Sequence, residues 1–428
     1  MPIPFRHVLL LLLWSALAGI GGALATLLFR EAITLGLGVI NGHTGWGLVD
    51  TARNLGLWQR VALPTIGGLL AGLVLQFLLS DAQRRARVDY MEAVTVGSGN
   101  VSARGSLVRS LSSLFSIVSG GSLGREGSMV QLAALGGSWL GQITRMPTGE
   151  RRLLVACGAA SGMACAYNAP LAGALFVAEI VLGSIAMPSL GPLLIAAVVG
   201  SQLFHHLWNS APIFEIPPLG FVSSWELPGY VVLGLLCGML APAFLKTLNL
   251  AKAGFAHLQL PLPITLAIGG LLVGVLSLWR PEVWGNGYSV VSAMLHGAWA
   301  WQMVLLLLAC KVLSTSASIG SGAVGGVFTP TLFVGAATGL LFGTLVHTLF
   351  PHSTAGPTVY AVLGMGAFLA AATQAPLMAI VMIFEMTRDY EVVAPLMVAC
   401  ALAWFVSRLW LNADPLYHSG RETNPPSA

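Results

Sequence analysis

Charge is scarce in this sequence. Asp, Glu, Lys and Arg make up 8% of its 428 residues, against roughly 25% in an average soluble domain. A water-soluble globule needs a charged skin, and this chain cannot supply one. That excludes an ordinary soluble enzyme, a disordered tail and a coiled coil. Cysteine is scarce as well. The five, Cys157, Cys165, Cys237, Cys310 and Cys400, all lie in apolar runs and form no CxxC pair. They do not fit a disulfide framework or a zinc site, and they read as small buried hydrophobes. Regular apolar–polar alternation over about ten residues is missing too, which argues against a transmembrane barrel. The net charge of +4 is no argument for a nucleic-acid partner, because the basic residues gather in loops.

What is present is long apolar sequence. Residues 312–384 contain no Asp, Glu, Lys or Arg, enough at roughly 20 residues per span to cross a bilayer several times. Val8–Phe29, Val61–Ser80, Leu153–Ala178, Leu227–Leu245 and Leu262–Trp279 are further charge-free candidates. The fold class is therefore an all-α polytopic membrane protein. Met1–Phe29 has the ingredients of a signal peptide, but its apolar run is too long for one, and it reads as a retained first helix. Arg84, Arg85 and Arg87, and then Arg145, Arg151 and Arg152, mark two cytoplasmic loops by the positive-inside rule.

Glycine and proline cluster inside apolar stretches, around 119–127, 166–173 and 319–330. Such clusters predict broken helices, and non-helical backbone at membrane depth must be buried in protein or line a cavity. Two of the clusters also belong to a repeat. At a fixed offset of 206, Gly158, Ala164, Ala169, Pro170, Leu171 and Glu179 fall on Gly364, Ala370, Ala375, Pro376, Leu377 and Glu385. At about 201 or 202, SGGSLGREGSMV (119–130) falls beside GSGAVGGVFTPT (320–331). A duplicated half predicts two units, 1–210 and 211–428, joined within 205–228, with the site between them. Nothing marks a separate soluble domain.

Gly124-Arg125-Glu126-Gly127 is the most informative motif. It reads as a helix N-terminus inside the membrane, where free N–H groups and the dipole favour an anion. Glu126 can occupy that position as a tethered carboxylate and leave it on protonation. The alternative is a loop-level Arg–Glu pair. Gly325-Gly326-Val327-Phe328-Thr329-Pro330 is the partner in the second half, with Pro330 suited to a first helical turn. Its alternative is a Gly-rich loop between packed helices. Three other matches are decoys. The GxGxxG at 320–325 has no preceding strand, the GxSxG at 120–124 has no α/β context, and the GxxxG at 68–72 signals only close packing. Glu179 and Glu385 each end an apolar run and read either as proton relays or as a shared structural pair. His205-His206 reads as interfacial, because neighbouring residues do not face together on a helix. No metal site and no cofactor are expected.

Taken together these motifs resemble the CLC family of chloride channels and chloride–proton antiporters. The resemblance covers nearly the whole chain. Its carriers are Gly124–Gly127 with Gln131, Asn168–Gly173, Gly325–Pro330, and Glu385-Met386-Thr387 with Tyr390 leading to Pro415-Leu416-Tyr417. The stretch Tyr90–Ala93 and the lack of appended C-terminal (CBS) domains resemble the bacterial ClcB-type subgroup. The resemblance implies a homodimer in the bacterial inner membrane, with about 18 mostly tilted helices per subunit in two inverted-topology repeats. It makes Glu126 the gating glutamate. It gives the anion to the backbone of Val327 and Phe328, to the Tyr417 hydroxyl, and to the surrounding Gly124, Arg125, Gly127, Gly325 and Gly326. Chloride and protons are the implied partners beside membrane lipid, and the subgroup suggests an electrical shunt in acid stress.

Two departures matter. The family's serine motif is matched only by Gly97-Ser98-Gly99, which stands too close to Glu126; ungapped register puts 84–89 in that place. Well-studied exchangers carry a second acid after the NAPLAG helix, where this chain has Ile180. A proton-coupled antiporter, with Glu179 or water relaying protons, and an uncoupled channel both stay open.

Overall fold

The structure, a computed structural model, describes residues 5–42, 45–80, 90–208, 226–297 and 299–417. Among these, seventeen α-helices follow one another. The first half holds α1 (Phe5–Asn41), α2 (Leu48–Asn54), α3 (Leu57–Leu78), α4 (Tyr90–Thr95), α5 (Ala103–Val118), α6 (Glu126–Ile143), α7 (Thr148–Tyr167), α8 (Pro170–Phe176) and α9 (Met187–Trp208). The second holds α10 (Leu227–His257), α11 (Leu262–Trp279), α12 (Tyr288–His296), α13 (Trp301–Gly320), α14 (Phe328–Leu349), α15 (Pro357–Thr373), α16 (Pro376–Thr387) and α17 (Val393–Phe405). The expected junction at 210–211 and the segment 84–89 lie outside the described residues.

Eight of these helices are long and apolar enough to cross a membrane. The first runs past Phe29 to Asn41. Arg30 stays inside it because its guanidinium lies 4.7 Å from the Trp208 ring and 5.7 Å from the Phe204 ring of α9, a cation–π lodging for a charge in apolar surroundings. The candidate span 153–178 is instead two helices. Asn168, at φ 50°, ends α7 in a left-handed cap, and Pro170 opens α8. Gln374, at φ 56°, and Pro376 do the same between α15 and α16.

The centre is built from α7 and α15. Leu154–Tyr167 and 359–373 are buried on every side, as an all-round apolar helix must be. Small residues let their partners come close. A Cβ on Gly158 would sit 2.4 Å from the Ala133 carbonyl oxygen of α6, and one on Gly364 2.4 Å from the Gly335 oxygen of α14. The two repeat-equivalent glycines thus make equivalent contacts, α7 on α6 and α15 on α14. Gly68 and Gly72 pack α3 in the same way against Leu266 and Pro263 of α11. All five cysteines are buried and free.

Candidate functional site

Both glycine-rich breaks lead into helix N-termini at the centre of the molecule. The chain leaves α5, passes Gly124, and starts α6 at Glu126. It leaves α13, passes Gly325 and Gly326, and starts α14 at Phe328. The two breaks are stitched together. The Gly124 N–H donates to the Gly326 carbonyl at 2.7 Å, and the Gly326 N–H donates back to the Gly124 carbonyl at 2.7 Å. Ser122 adds a second link, with its backbone N–H on the Ser318 hydroxyl at 3.2 Å and its own hydroxyl 3.1 Å from that of Thr315. The serine of the GxSxG match is therefore a cross-brace between the halves.

Glu126 sits on this seam and is 2% exposed. Its Oε1 accepts from the Thr329 hydroxyl and from the Asn286 amide, the latter at 3.4 Å. Thr329 in turn lies 3.0 Å from the Tyr167 hydroxyl. Because Thr329 spends its proton on Glu126, Tyr167 is the donor there. Oε2 has no hydrogen-bond partner among the described residues. It fills a notch that only glycine leaves open: a Cβ on Gly124 would lie 2.0 Å from it, and one on Gly326 3.2 Å. Arg125 makes no ion pair with Glu126 among the described residues. Its guanidinium lies 6.0 Å from the Tyr288 ring centroid instead.

A cavity of about 1290 Å³ opens from this point. Glu126, Gly127, Gly325, Gly326, Val327 and Tyr417 all line it. The segment before Tyr417 is tied back to the core by the Leu416 N–H on the Ala372 carbonyl at 2.7 Å. Phe328 lies beneath, its ring 4.9 Å from Tyr167 and 6.3 Å from Phe176, and the Phe176 ring meets Tyr417 edge-on at 5.8 Å. Lys246, Lys252 and Val96 line the cavity as well. The carbonyl of Val96 accepts from Arg152 at 3.2 Å, so the cavity opens on the side of the arginine loop that the sequence places in the cytoplasm.

The family model for voltage gated chloride channels matches residues 67–408. The chain belongs to that family. A chloride channel protein described as ClcB-like from Ralstonia nicotianae is 55% identical over 390 residues, covering 90% of this chain and 91% of the relative. The voltage-gated ClC-type chloride channel ClcB of Escherichia coli is 41% identical over 418 residues, covering 96% and 98%. Among solved structures, a slow cyanobacterial Cl⁻/H⁺ antiporter superposes with a TM-score of 0.83 at 23% identity, covering 95% of this chain and 96% of that one. A CLC-type fluoride/proton antiporter gives 0.79 at 21% identity, covering 97% and 98%. The fold is thus the all-α, multi-pass CLC fold.

Within this CLC fold, the sequence-derived residues divide. Glu126, Gly127, Gly325, Gly326, Val327 and Tyr417 share the cavity, while Gly124 packs against Glu126 and Phe328 against Tyr167 outside its lining. Arg125 faces Tyr288. Glu179 and Glu385 are elsewhere and reciprocal. Glu179 accepts the Leu377 and Met378 N–H groups at 3.4 and 2.7 Å, and Glu385 accepts those of Leu171 and Ala172 at 3.0 and 2.7 Å. Each carboxylate caps the short helix that begins in the other half. Ser98 is exposed, and its carbonyl and that of Gly97 are held by Arg151 and Arg152 at 2.7 and 2.6 Å. Sequence reasoning missed three residues around Glu126: Thr329, Asn286 and Tyr167. Thr329 stood inside a motif already singled out; the other two carried no signal.

Proposed function

We propose that this protein transports chloride across the bacterial inner membrane, with Glu126 as a protonatable gate and protons moving in exchange. As in the family it resembles, it would work as a homodimer with one pathway per subunit. The observation that carries this reading is the place of the Glu126 carboxylate. It fills a buried notch where two helix N-termini meet, on the wall of an open cavity. The first N–H groups of α6 and α14 have no intrahelical acceptor there, so the spot suits an anion. While ionised, Glu126 is that anion and blocks the way. Protonation removes its charge, the carboxyl leaves, and chloride takes its place. Exchange of this kind would shunt charge during acid stress.

A second reading, uncoupled conduction, is favoured by two observations. Ile180 stands where an exchanger would carry an internal acid, and both oxygens of Glu179 are already taken by backbone N–H groups. Proteoliposomes under combined chloride and pH gradients separate the two. A zero-current voltage between the chloride and proton potentials means exchange; one that follows chloride alone means a channel. In either case, Glu126→Gln should leave anion flux and abolish its proton coupling and pH dependence. Chloride-driven proton movement that survives in Glu126→Gln would refute the gate.

A further inference from the structure

Lys311 has no part in the site described so far, yet it is 0% exposed in the membrane-spanning helix α13. A buried ammonium is costly unless its donors are used, and ionisable groups inside a membrane mark function. No carboxylate pairs with it among the described residues. Its Nζ donates to the backbone carbonyls of Val283 and Gly285 at 3.1 and 2.6 Å, and lies 5.7 Å from the Phe333 ring. Two donors therefore go to one short loop and the third faces an aromatic ring.

That loop, residues 283–287, lies over the gate. Trp284 is 0% exposed and abuts Gly120, where a Cβ would fall 2.4 Å from the indole. Asn286 gives its amide to Glu126 Oε1. Its own Oδ1 is held by the Tyr288 N–H at 3.4 Å, which fixes the amide's orientation. A methionine at 311 would fill the same space without a charge, but it would leave the loop unanchored.

We propose that Lys311 is a positioning residue for the gate: it pins loop 283–287 so that Asn286 can hold the ionised Glu126 carboxylate shut. This deepens the gate reading above and rests on it. The other titratable groups facing Glu126 are its neighbour Arg125, Tyr167 of α7 and Tyr288 of α12, with Arg30 of α1 beyond Arg125. All are left in place by the variants that follow.

The test measures chloride flux against pH in proteoliposomes of purified full-length protein. Asn286→Ala should raise flux at neutral pH by roughly threefold to tenfold, the loss of one long hydrogen bond to a charged acceptor. It should also move acid activation toward neutral pH. Lys311→Met should change both in the same direction, Lys311→Arg should restore wild-type behaviour, and in a Glu126→Gln background none should matter. If Glu126→Gln keeps its pH dependence, the gate reading falls and this inference with it. If Glu126→Gln is pH-independent while Asn286→Ala matches wild type, the inference alone is wrong. If Asn286→Ala is activated while folded Lys311→Met matches wild type, Lys311 does not position the loop and the inference is wrong; should Lys311→Met fail to fold, Lys311→Gln takes its place in the same comparison.

Discussion

At the residue scale the proposed gate depends on a missing side chain. The Glu126 carboxylate lies where a Cβ at position 124 would fall, 2.0 Å from Oε2. The intruding atom is fixed to the backbone, whereas Oε2 is the tip of a flexible side chain, so Gly124→Ala should expel the carboxylate from its notch. The same Cβ would fall 3.0 Å from the Gly326 oxygen, so the stitch between the halves must give slightly, while alanine keeps its N–H and C=O groups. The expected result is folded protein with raised flux at neutral pH and little response to acid. The check is flux at two pH values beside a thermal melt. Unchanged pH dependence would place the closed carboxylate somewhere other than this notch. The notch could not be read from the string, which offered Gly124 as the start of the GREG motif and, by resemblance, as a residue around the anion. The notch exists because residue 326, about 200 positions away, arrives opposite it.

At the element scale the reciprocal caps of α8 and α16 decide between two roles for one residue. The first N–H groups of a helix are unsatisfied whatever its length, so they are a large share of a short helix, and a carboxylate at each N-terminus is worth having. If capping is the whole role, Glu179→Ala and Glu385→Ala should each cost about 1–2 kcal/mol of stability, with coupling left intact in both. Paired thermal melts and zero-current voltages test it. A loss of coupling confined to Glu179→Ala would make Glu179 a proton acceptor as well as a cap. This pair was half legible in the sequence. The offset of 206 put the two acids in equivalent places, and equivalence favoured a common structural task. That each reaches across to the other half's helix was not legible, since an offset carries no contact. Element ends followed the same rule. The glycine and proline cluster at 166–173 announced a break inside the span 153–178 but not the helix start at Pro376, and the continuation of α1 past Phe29 depended on the Phe204 and Trp208 rings lodging Arg30. Lys311 looked like the edge of a charge-free stretch, because what makes it matter is a loop on another element.

At the scale of the whole molecule, the arginine loops and the cavity fix a direction. Arg145, Arg151 and Arg152 face the cytoplasm by the positive-inside rule, and Arg152 holds the cavity rim through Val96. Glu126 lines the cavity and is 2% exposed. If its ionised carboxylate closes the pathway as proposed, the protein is open to one side only in that state. A single engineered cysteine can read that asymmetry, because all five native cysteines are buried and should react slowly. Ala243 is exposed and lines the cavity. In Ala243→Cys, a charged, membrane-impermeant thiol reagent added on the cytoplasmic side should remove most of the flux, and the same reagent outside should have no effect. Wild-type protein should resist both. Block from the outside alone would invert the orientation drawn from the arginines. Block from both sides would mean that the pathway is open at Glu126, and that protonation of this carboxylate does not control it.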